Sequence, residues 1–287
     1  MAADRAIACT VATTDSGGGA GIQADLKSFA ACGAYGVSVV VALTAQNTLG
    51  VTAVHGLPLD FVDAEFTALD RDLRPQAVKT GMLFTAAHIE LVAERLGALD
   101  WGPVVVDPVM VAKSGDRLLE ESAVDTMRRR LLGLAHVVTP NWPEAEALCG
   151  LAIDSEPTAI AAGRAILEMG PDYVVVKGGH APGDPVDLVV HRGGVERLPG
   201  SRIAGRHTHG TGCTFSAAIT AHLAMGLDTE RAIASAKEYV TCAIRHAPGL
   251  GSGHGPLEHF PPGWRGRAGA GAGSWPGAAR PRRSRSN

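Results

Sequence analysis

The chain has 287 residues, 46% hydrophobic and 19% charged, enough apolar material to bury a core on both faces of a large sheet. Its formal charge of −3 conceals a split: six of the 26 basic residues (Arg265, Arg267, Arg280, Arg282, Arg283, Arg285) stand in a C-terminal stretch without Asp or Glu, leaving 20 against 29 acidic side chains elsewhere. An acidic body argues against nucleic acid as a partner, no apolar run reaches the ~20 residues of a membrane span, and five scattered cysteines without C-x-x-C spacing give neither a disulfide framework nor a zinc site. The expectation is a cytoplasmic protein with reduced thiols, since Met1 to Arg5 leads into no signal-type core.

In chain order, Ile7 to Ala12 reads as a strand, Thr13 to Gly21 as a glycine loop and Ile22 to Ala34 as a helix, the opening of an α/β unit. Gly36 to Leu43 is almost wholly apolar, as in a parallel strand covered on both faces, and ends in the polar run Thr44 to Thr48. Val51 to Leu57 reads as a short strand, Asp60 to Leu73 as an amphipathic helix, Ala77 to Thr80 as a strand running into Gly81-Met82-Leu83, and Ala86 to Leu96 as a helix. Pro103 to Val106 is a strand ending at Asp107-Pro108, followed by a loop, Ala112 to Asp116, and a helix from about Glu120 to Leu132. Ala135 to Val138 closes on Asn141 and Glu144; Glu144 to Cys149 and Thr158 to Met169 read as helices, and Tyr173 to Val176 as a strand ending at Lys177. Arg192-Gly193-Gly194 signals a hairpin between Val186 to His191 and Val195 to Leu198. A helix opens at Gly210, and Thr229 to His246 forms the last one.

This alternation predicts one three-layer α/β domain over residues 5–262, a central mostly parallel sheet with helices on both faces, followed by a disordered Gly/Ala/Arg-rich tail, 263–287. Each polar or glycine-rich segment follows a strand, so Thr44 to Asn47, Gly81-Met82, Asp107, Asn141 to Glu144 and Lys177 share one edge of the sheet.

That edge holds the parts phosphoryl transfer needs. The turn Thr208-His209-Gly210-Thr211-Gly212-Cys213 at a helix N-terminus is a cradle for an anion, although it lacks the lysine of a P-loop. Asp107, Asn141 and Glu144 offer oxygen ligands for a divalent cation, and Lys177 a positive charge. Each has a plain structural alternative: turn former, first-turn helix charge, solvated lysine, and for Cys213 a small buried residue. The helix N-terminus is expected to favour the Cys213 thiolate, placing it to receive or orient a hydroxyl proton.

The ordered blocks carry a resemblance. Asp15-Ser16-Gly17-Gly18-Gly19-Ala20-Gly21-Ile22-Gln23-Ala24-Asp25-Leu26-Lys27, Thr44-Ala45-Gln46-Asn47-Thr48, Lys79-Thr80-Gly81-Met82-Leu83, Val106-Asp107-Pro108, Lys113-Ser114-Gly115, Thr139-Pro140-Asn141, Lys177-Gly178-Gly179-His180 and His209-Gly210-Thr211-Gly212-Cys213-Thr214 resemble the hydroxymethylpyrimidine and phosphomethylpyrimidine kinases of thiamine biosynthesis, in the ribokinase-like superfamily. The likeness runs from about residue 7 to 260. It implies an ATP- and Mg2+-dependent enzyme that phosphorylates 4-amino-5-hydroxymethyl-2-methylpyrimidine (HMP) and then HMP phosphate. By position, Asp25 and Gln46 would bond the aminopyrimidine edge and Met82 would pack on the ring, with Thr13 and Thr44 beside it. Asp107, Asn141 and Glu144 would serve magnesium. Lys177 would serve the phosphates with Thr208, Gly210, Thr211 and Gly212, Lys113 would belong to a closing flap, and Cys213 would lie nearest the acceptor hydroxyl.

Two features depart from the family pattern. Thr13 stands where glycine is common, so its side chain narrows the ring pocket, and the tail beyond about Phe260 has no counterpart. The resemblance also implies a homodimer. The alternatives are a vitamin B6 kinase on the same scaffold, or a silent HMP-binding protein. Gln46 with Asp25 favours the aminopyrimidine over the first, and the retained metal and phosphate residues argue against the second.

Overall fold

Valine-rich strands whose side chains alternate between two apolar layers form the centre of the molecule. The computed structural model describes residues 5–110 and 121–264. Its elements are β1 (Ile7–Thr13), α1 (Gly21–Cys32), β2 (Tyr35–Asn47), β3 (Gly50–Gly56), α2 (Leu59–Asp72), β4 (Ala77–Thr80), α3 (Ala86–Ala98), β5 (Val104–Val106), α4 (Glu121–Thr126), β6 (Val137–Val138), α5 (Trp142–Cys149), α6 (Glu156–Leu167), β7 (Tyr173–Val176), β8 (Val186–His191), β9 (Gly194–Pro199), α7 (Thr211–Ala224) and α8 (Thr229–Arg245).

The sheet order is β3-β2-β1-β4-β5-β6-β7-β8-β9. The strands β2, β1, β4, β5, β6 and β7 are mutually parallel, while β3 pairs antiparallel with β2, and β8 and β9 continue antiparallel from β7. Period two sorts the side chains: Val104, Val106, Val138, Val174 and Val176 join one layer with residues of α2 to α6, while Val105, Val137 and Val175 join another with α1, α7 and α8. The three-layer arrangement and the β8–β9 hairpin are as expected. Helix α7 is buried from Thr214 to Ala224, and its small residues allow it to lie between α1, α8 and the sheet.

Four expectations change in detail. The polar run Thr44 to Asn47 belongs to β2 itself, because β3 pairs with it and prolongs the strand past the helical cover. Leu43 is 45% exposed there, so the apolar run is not covered on both faces. The helix expected over 120–132 is described from Glu121 and tightens into a π-helical turn, Met127–Leu131, and a 3-10 turn, Leu132–Leu134. Packing continues past 262 to Trp264, whose ring lies 5.1 Å from that of Tyr239. Most of the expected tail, and the flap residues Lys113, Ser114 and Gly115, fall outside the described residues.

Candidate active site

Because six neighbouring strands run the same way, their carboxyl ends meet at one edge, and most of the expected residues gather there. At the end of β7, Lys177 lies with Nζ 3.1 Å from Oδ1 of Asp107, which follows β5, and 3.5 Å from Oε2 of Glu144 in α5. Asp107 also accepts from Thr139 at 3.2 Å and Ser216 at 3.3 Å. Asn141 caps α5: its Oδ1 accepts from the Glu144 amide at 2.9 Å, and Glu144 Oε2 accepts from the Asn141 amide at 2.7 Å. The helix-cap reading of Glu144 and its place beside Lys177 are therefore both true.

Electrostatics follow from burial. Burial, together with the Asp107 charge and against the pull of Lys177, pushes the Glu144 carboxyl up to about 7. Burial alone would lower the Lys177 ammonium, but Asp107 and Glu144 outweigh it and hold the ammonium above its ordinary range.

The first turn of α7 faces this group. A Cβ on Gly212 would stand 3.3 Å from Lys177 Nζ and 3.5 Å from Asp107 Oδ2. Gly210, the N-cap, is left-handed with φ 80 and offers no side-chain cap; a Cβ there would fall 1.7 Å from the Gly19 carbonyl oxygen. Thr211 Oγ1 donates to the Thr208 carbonyl at 2.8 Å, closing the turn. The anion turn and the glycine loop before α1 are thus in backbone contact.

Cys213 adjoins the glycine loop, where the Gly21 backbone weakly favours its thiolate. The expected lowering of its pKa is not found. Burial, with Asp25 and Asp107 adding to it and Lys79 opposing, pushes the thiol up to about 11. The helix end contributes a local positive potential, but desolvation of a thiolate costs more.

Asp25, expected at the ring, is fully buried, with both oxygens 2.7–2.8 Å from Nζ of Lys79 and Oδ2 accepting from Thr10 at 2.6 Å. Burial pushes the Asp25 carboxyl up against the pull of Lys79. Desolvation of Lys79 is in turn outweighed by Asp25, Cys213 and Asp107, and its ammonium is held above its ordinary range. The pair lies close enough to Cys213 and Asp107 to act on their charges. Lys79 was given no role in the sequence, although a lysine inside the strand Ala77–Thr80 has to find a carboxylate.

The remaining ring residues stay together. Thr13, 4% exposed, donates its amide to the Met82 carbonyl at 3.1 Å, and Met82 is 7% exposed. Thr44 Oγ1 donates to the Thr14 carbonyl at 2.7 Å and lies 3.4 Å from Gln46 Oε1. The Gln46 amide in turn lies 3.2 Å from Nε2 of His209.

Two groups were missed. Asp15 accepts from the amides of Gly17, Gly19 and Ala20 at 2.8–2.9 Å and from His209 at 3.0 Å. Against the effect of burial, those bonds hold its carboxyl below the usual range. An aspartate ahead of Ser-Gly-Gly-Gly is a recognisable loop organiser, so a signal existed. The second group is a strap over residues 247–264: the Gly255 carbonyl accepts from the His209 amide at 3.1 Å, and His259 Nε2 meets Thr214 Oγ1 at 3.2 Å.

Comparison with known proteins agrees with this geometry. A family model described as phosphomethylpyrimidine kinase matches residues 15–258. The chain is 48% identical over 255 residues to the hydroxymethylpyrimidine/phosphomethylpyrimidine kinase of Streptomyces coelicolor, covering 89% of this chain and 93% of that protein. It is 49% identical over 252 residues to a bifunctional thiamine biosynthesis protein of Geobacter sulfurreducens; that match takes in 88% of the chain but only 51% of the longer protein. Among solved structures, a phosphomethylpyrimidine kinase from Clostridium difficile superposes with a TM-score of 0.75 at 40% identity, covering 83% of this chain and 98% of that one. The Staphylococcus aureus pyridoxal kinase in complex with AMP-PCP and pyridoxal gives a TM-score of 0.82 at 33% identity, covering 90% and 94%. The fold is the ribokinase-like one shared by these kinases. With the family model matched over residues 15–258 and a relative 48% identical across 89% of the chain, the chain belongs to the phosphomethylpyrimidine kinase family.

Proposed function

We propose that the chain transfers the γ-phosphoryl group of ATP to the hydroxymethyl oxygen of HMP, and then to HMP phosphate to form the diphosphate, in thiamine biosynthesis. The observation that carries this reading is the placement of Lys177 between Asp107 and Glu144 and against the backbone of Gly212. Amides of the first turn of α7, from Gly210 to Cys213, take the oxygens of the transferring group, Thr208 and Thr211 hold the turn, and Lys177 neutralises developing charge. Cys213 stays protonated near neutral pH, so it orients the acceptor hydroxyl rather than deprotonating it. A largely dissociative transition state asks little of a base.

Asp107 and Glu144 would hold magnesium, being two hard carboxylates of the kind such an ion takes from protein. When bound, it supplies charge neutralisation for the phosphates. Among the described residues no cluster of three or more His, Cys, Asp or Glu forms a metal cage, and Asn141 serves by fixing Glu144. Gln46, Met82, Thr13 and Thr44 line the ring side. Lys113 is assigned to the phosphates by resemblance alone.

The alternative is a vitamin B6 kinase. It gains from the pyridoxal kinase likeness, and from the engagement of both Asp25 oxygens by Lys79. An ADP-release assay with HMP and with pyridoxine separates the two: faster turnover of HMP is expected, and faster turnover of pyridoxine overturns the choice. Stabilisation by HMP without ADP release favours a silent binding protein. We further infer a homodimer joined through the β2–β3 ribbon, where Leu43, Leu49 and Val54 are exposed. Light scattering is expected to give twice the chain mass, and a monomer overturns it.

A further inference from the structure

His209 has two neighbours that cannot both be served as the atoms are named. Its Nε2 lies 3.0 Å from Oδ2 of Asp15 and 3.2 Å from the nitrogen of the Gln46 amide. A carboxylate only accepts, so Nε2 must carry the proton that goes to Asp15. Asp15 is 1% exposed and held by three loop amides, so it does not turn away. A protonated Nε2 has no lone pair for a Gln46 N–H. Amide oxygen and nitrogen are assigned from hydrogen bonding, and the network here demands the opposite assignment.

With the amide reversed, Gln46 Oε1 faces Nε2–H and its NH2 faces Thr44 Oγ1, whose own hydrogen goes to the Thr14 carbonyl and whose lone pair is available. The imidazole N–H and the Thr44 hydroxyl then each meet an acceptor, and one Gln46 N–H meets Thr44. The imidazole is held in place by the His209 amide, which donates to Gly255, and by Gly19, where a Cβ would stand 2.6 Å from His209 Cδ2.

We propose that His209 is a positioning residue that locks the Gln46 amide with its carbonyl toward the imidazole and its NH2 toward Thr44, and thereby sets which ring the pocket accepts. This rests on the kinase reading above. A ring with an amino group beside a ring nitrogen presents a donor and an acceptor side by side. Once its hydroxymethyl group points at the first turn of α7, such a ring matches only one of the two amide orders. A pyridine ring with a hydroxyl in place of that pair gains nothing from the lock. His209 thus links the glycine loop, the anion turn and the ring side through one proton.

The first test uses the wild-type chain. Nitrogen-15 spectra of histidine-labelled protein, with the His209 signal identified as the one lost in His209→Gln, are expected to show Nε2 protonated; a bare Nε2 overturns the proposal. The second compares kcat/KM on HMP and on pyridoxine. His209→Leu is expected to lower the HMP-to-pyridoxine ratio about tenfold, the worth of one oriented hydrogen bond. His209→Gln, whose Nε2 offers a donor at a similar reach, retains most of the ratio. An equal fall on both rings in His209→Leu, with the ratio unchanged, overturns the proposal. Should that variant not fold, Thr44→Val removes the other anchor of Gln46 and is expected to move the ratio the same way; an unchanged ratio there counts against it. Wild-type protein that phosphorylates neither ring contradicts the kinase reading, while the tautomer result still decides the lock.

Discussion

Two lysines, one inside β4 and one just past the end of β7, meet carboxylates in this molecule, and their surroundings separate their roles. Lys79 and Asp25 are fully buried and satisfy each other, with Thr10 completing the group. Lys177 has the same chemistry but keeps a side chain 16% exposed, beside a helix end and between two carboxylates, one of which is pushed toward neutrality by burial. The closed pair is sealed within the core, whereas the open one stands within reach of solvent. Both ammonium groups remain charged at neutral pH, so exposure and geometry, not protonation, distinguish them.

Breaking the closed pair is expected to cost the most. Lys79→Met leaves Asp25 buried and unpaired, and denaturant unfolding should register a loss of about 3–5 kcal/mol; Lys79→Met with Asp25→Leu should recover much of it. Breaking the open pair should act mainly on rate. Lys177→Met is expected to lower kcat by on the order of 10²–10³ in the coupled assay, as for loss of one preorganised charge donor, with a smaller loss of stability than Lys79→Met because the site admits water.

Cys213 lies between the two regions and takes the character of the closed one. With its thiol pushed up to about 11, peptide mapping should find alkylation by iodoacetamide at pH 7 slower than that of free cysteine by on the order of a hundredfold. Fast labelling would mean that the helix end outweighs burial. The smallest effect concerns buried groups that are kept neutral. His222 has no partner at either ring nitrogen among the described residues, and burial pushes both it and His259 down to about 4. Unfolded, they titrate near 6.5, so their folded values are depressed: their stability contribution is full above that pH and is lost as pH falls toward 4. Urea midpoints should decline across that window, by at most roughly 2 kcal/mol for each at pH 5. His222→Leu should flatten part of the decline.

The sequence made the open region legible and hid the closed one. Asp107, Glu144 and Lys177 each follow a strand, and parallel strands place their ends together whatever the helices between them do. The turn at Gly210 was readable because glycines and hydroxyls before an apolar helix have few other uses. The pairing of Lys79 with Asp25 spans 54 positions, and nothing local links a strand lysine to a helix aspartate. Family position alone put Asp25 at the ring, and its pairing with Lys79 comes from tertiary packing. The thiol was misjudged for the same reason: the helix end is local and visible, but desolvation comes from tertiary packing. Likewise β2 runs on through Thr44 to Asn47 because β3 pairs with it, which no periodicity within β2 announces.

The most direct test of the central claim is mass spectrometry of the products formed from HMP by purified protein with ATP and magnesium, run beside Lys177→Met. The account predicts HMP phosphate followed by the diphosphate in the wild type, and little of either in the variant at equal folded protein. Unchanged HMP in the wild-type reaction, or full conversion by the variant, would contradict it.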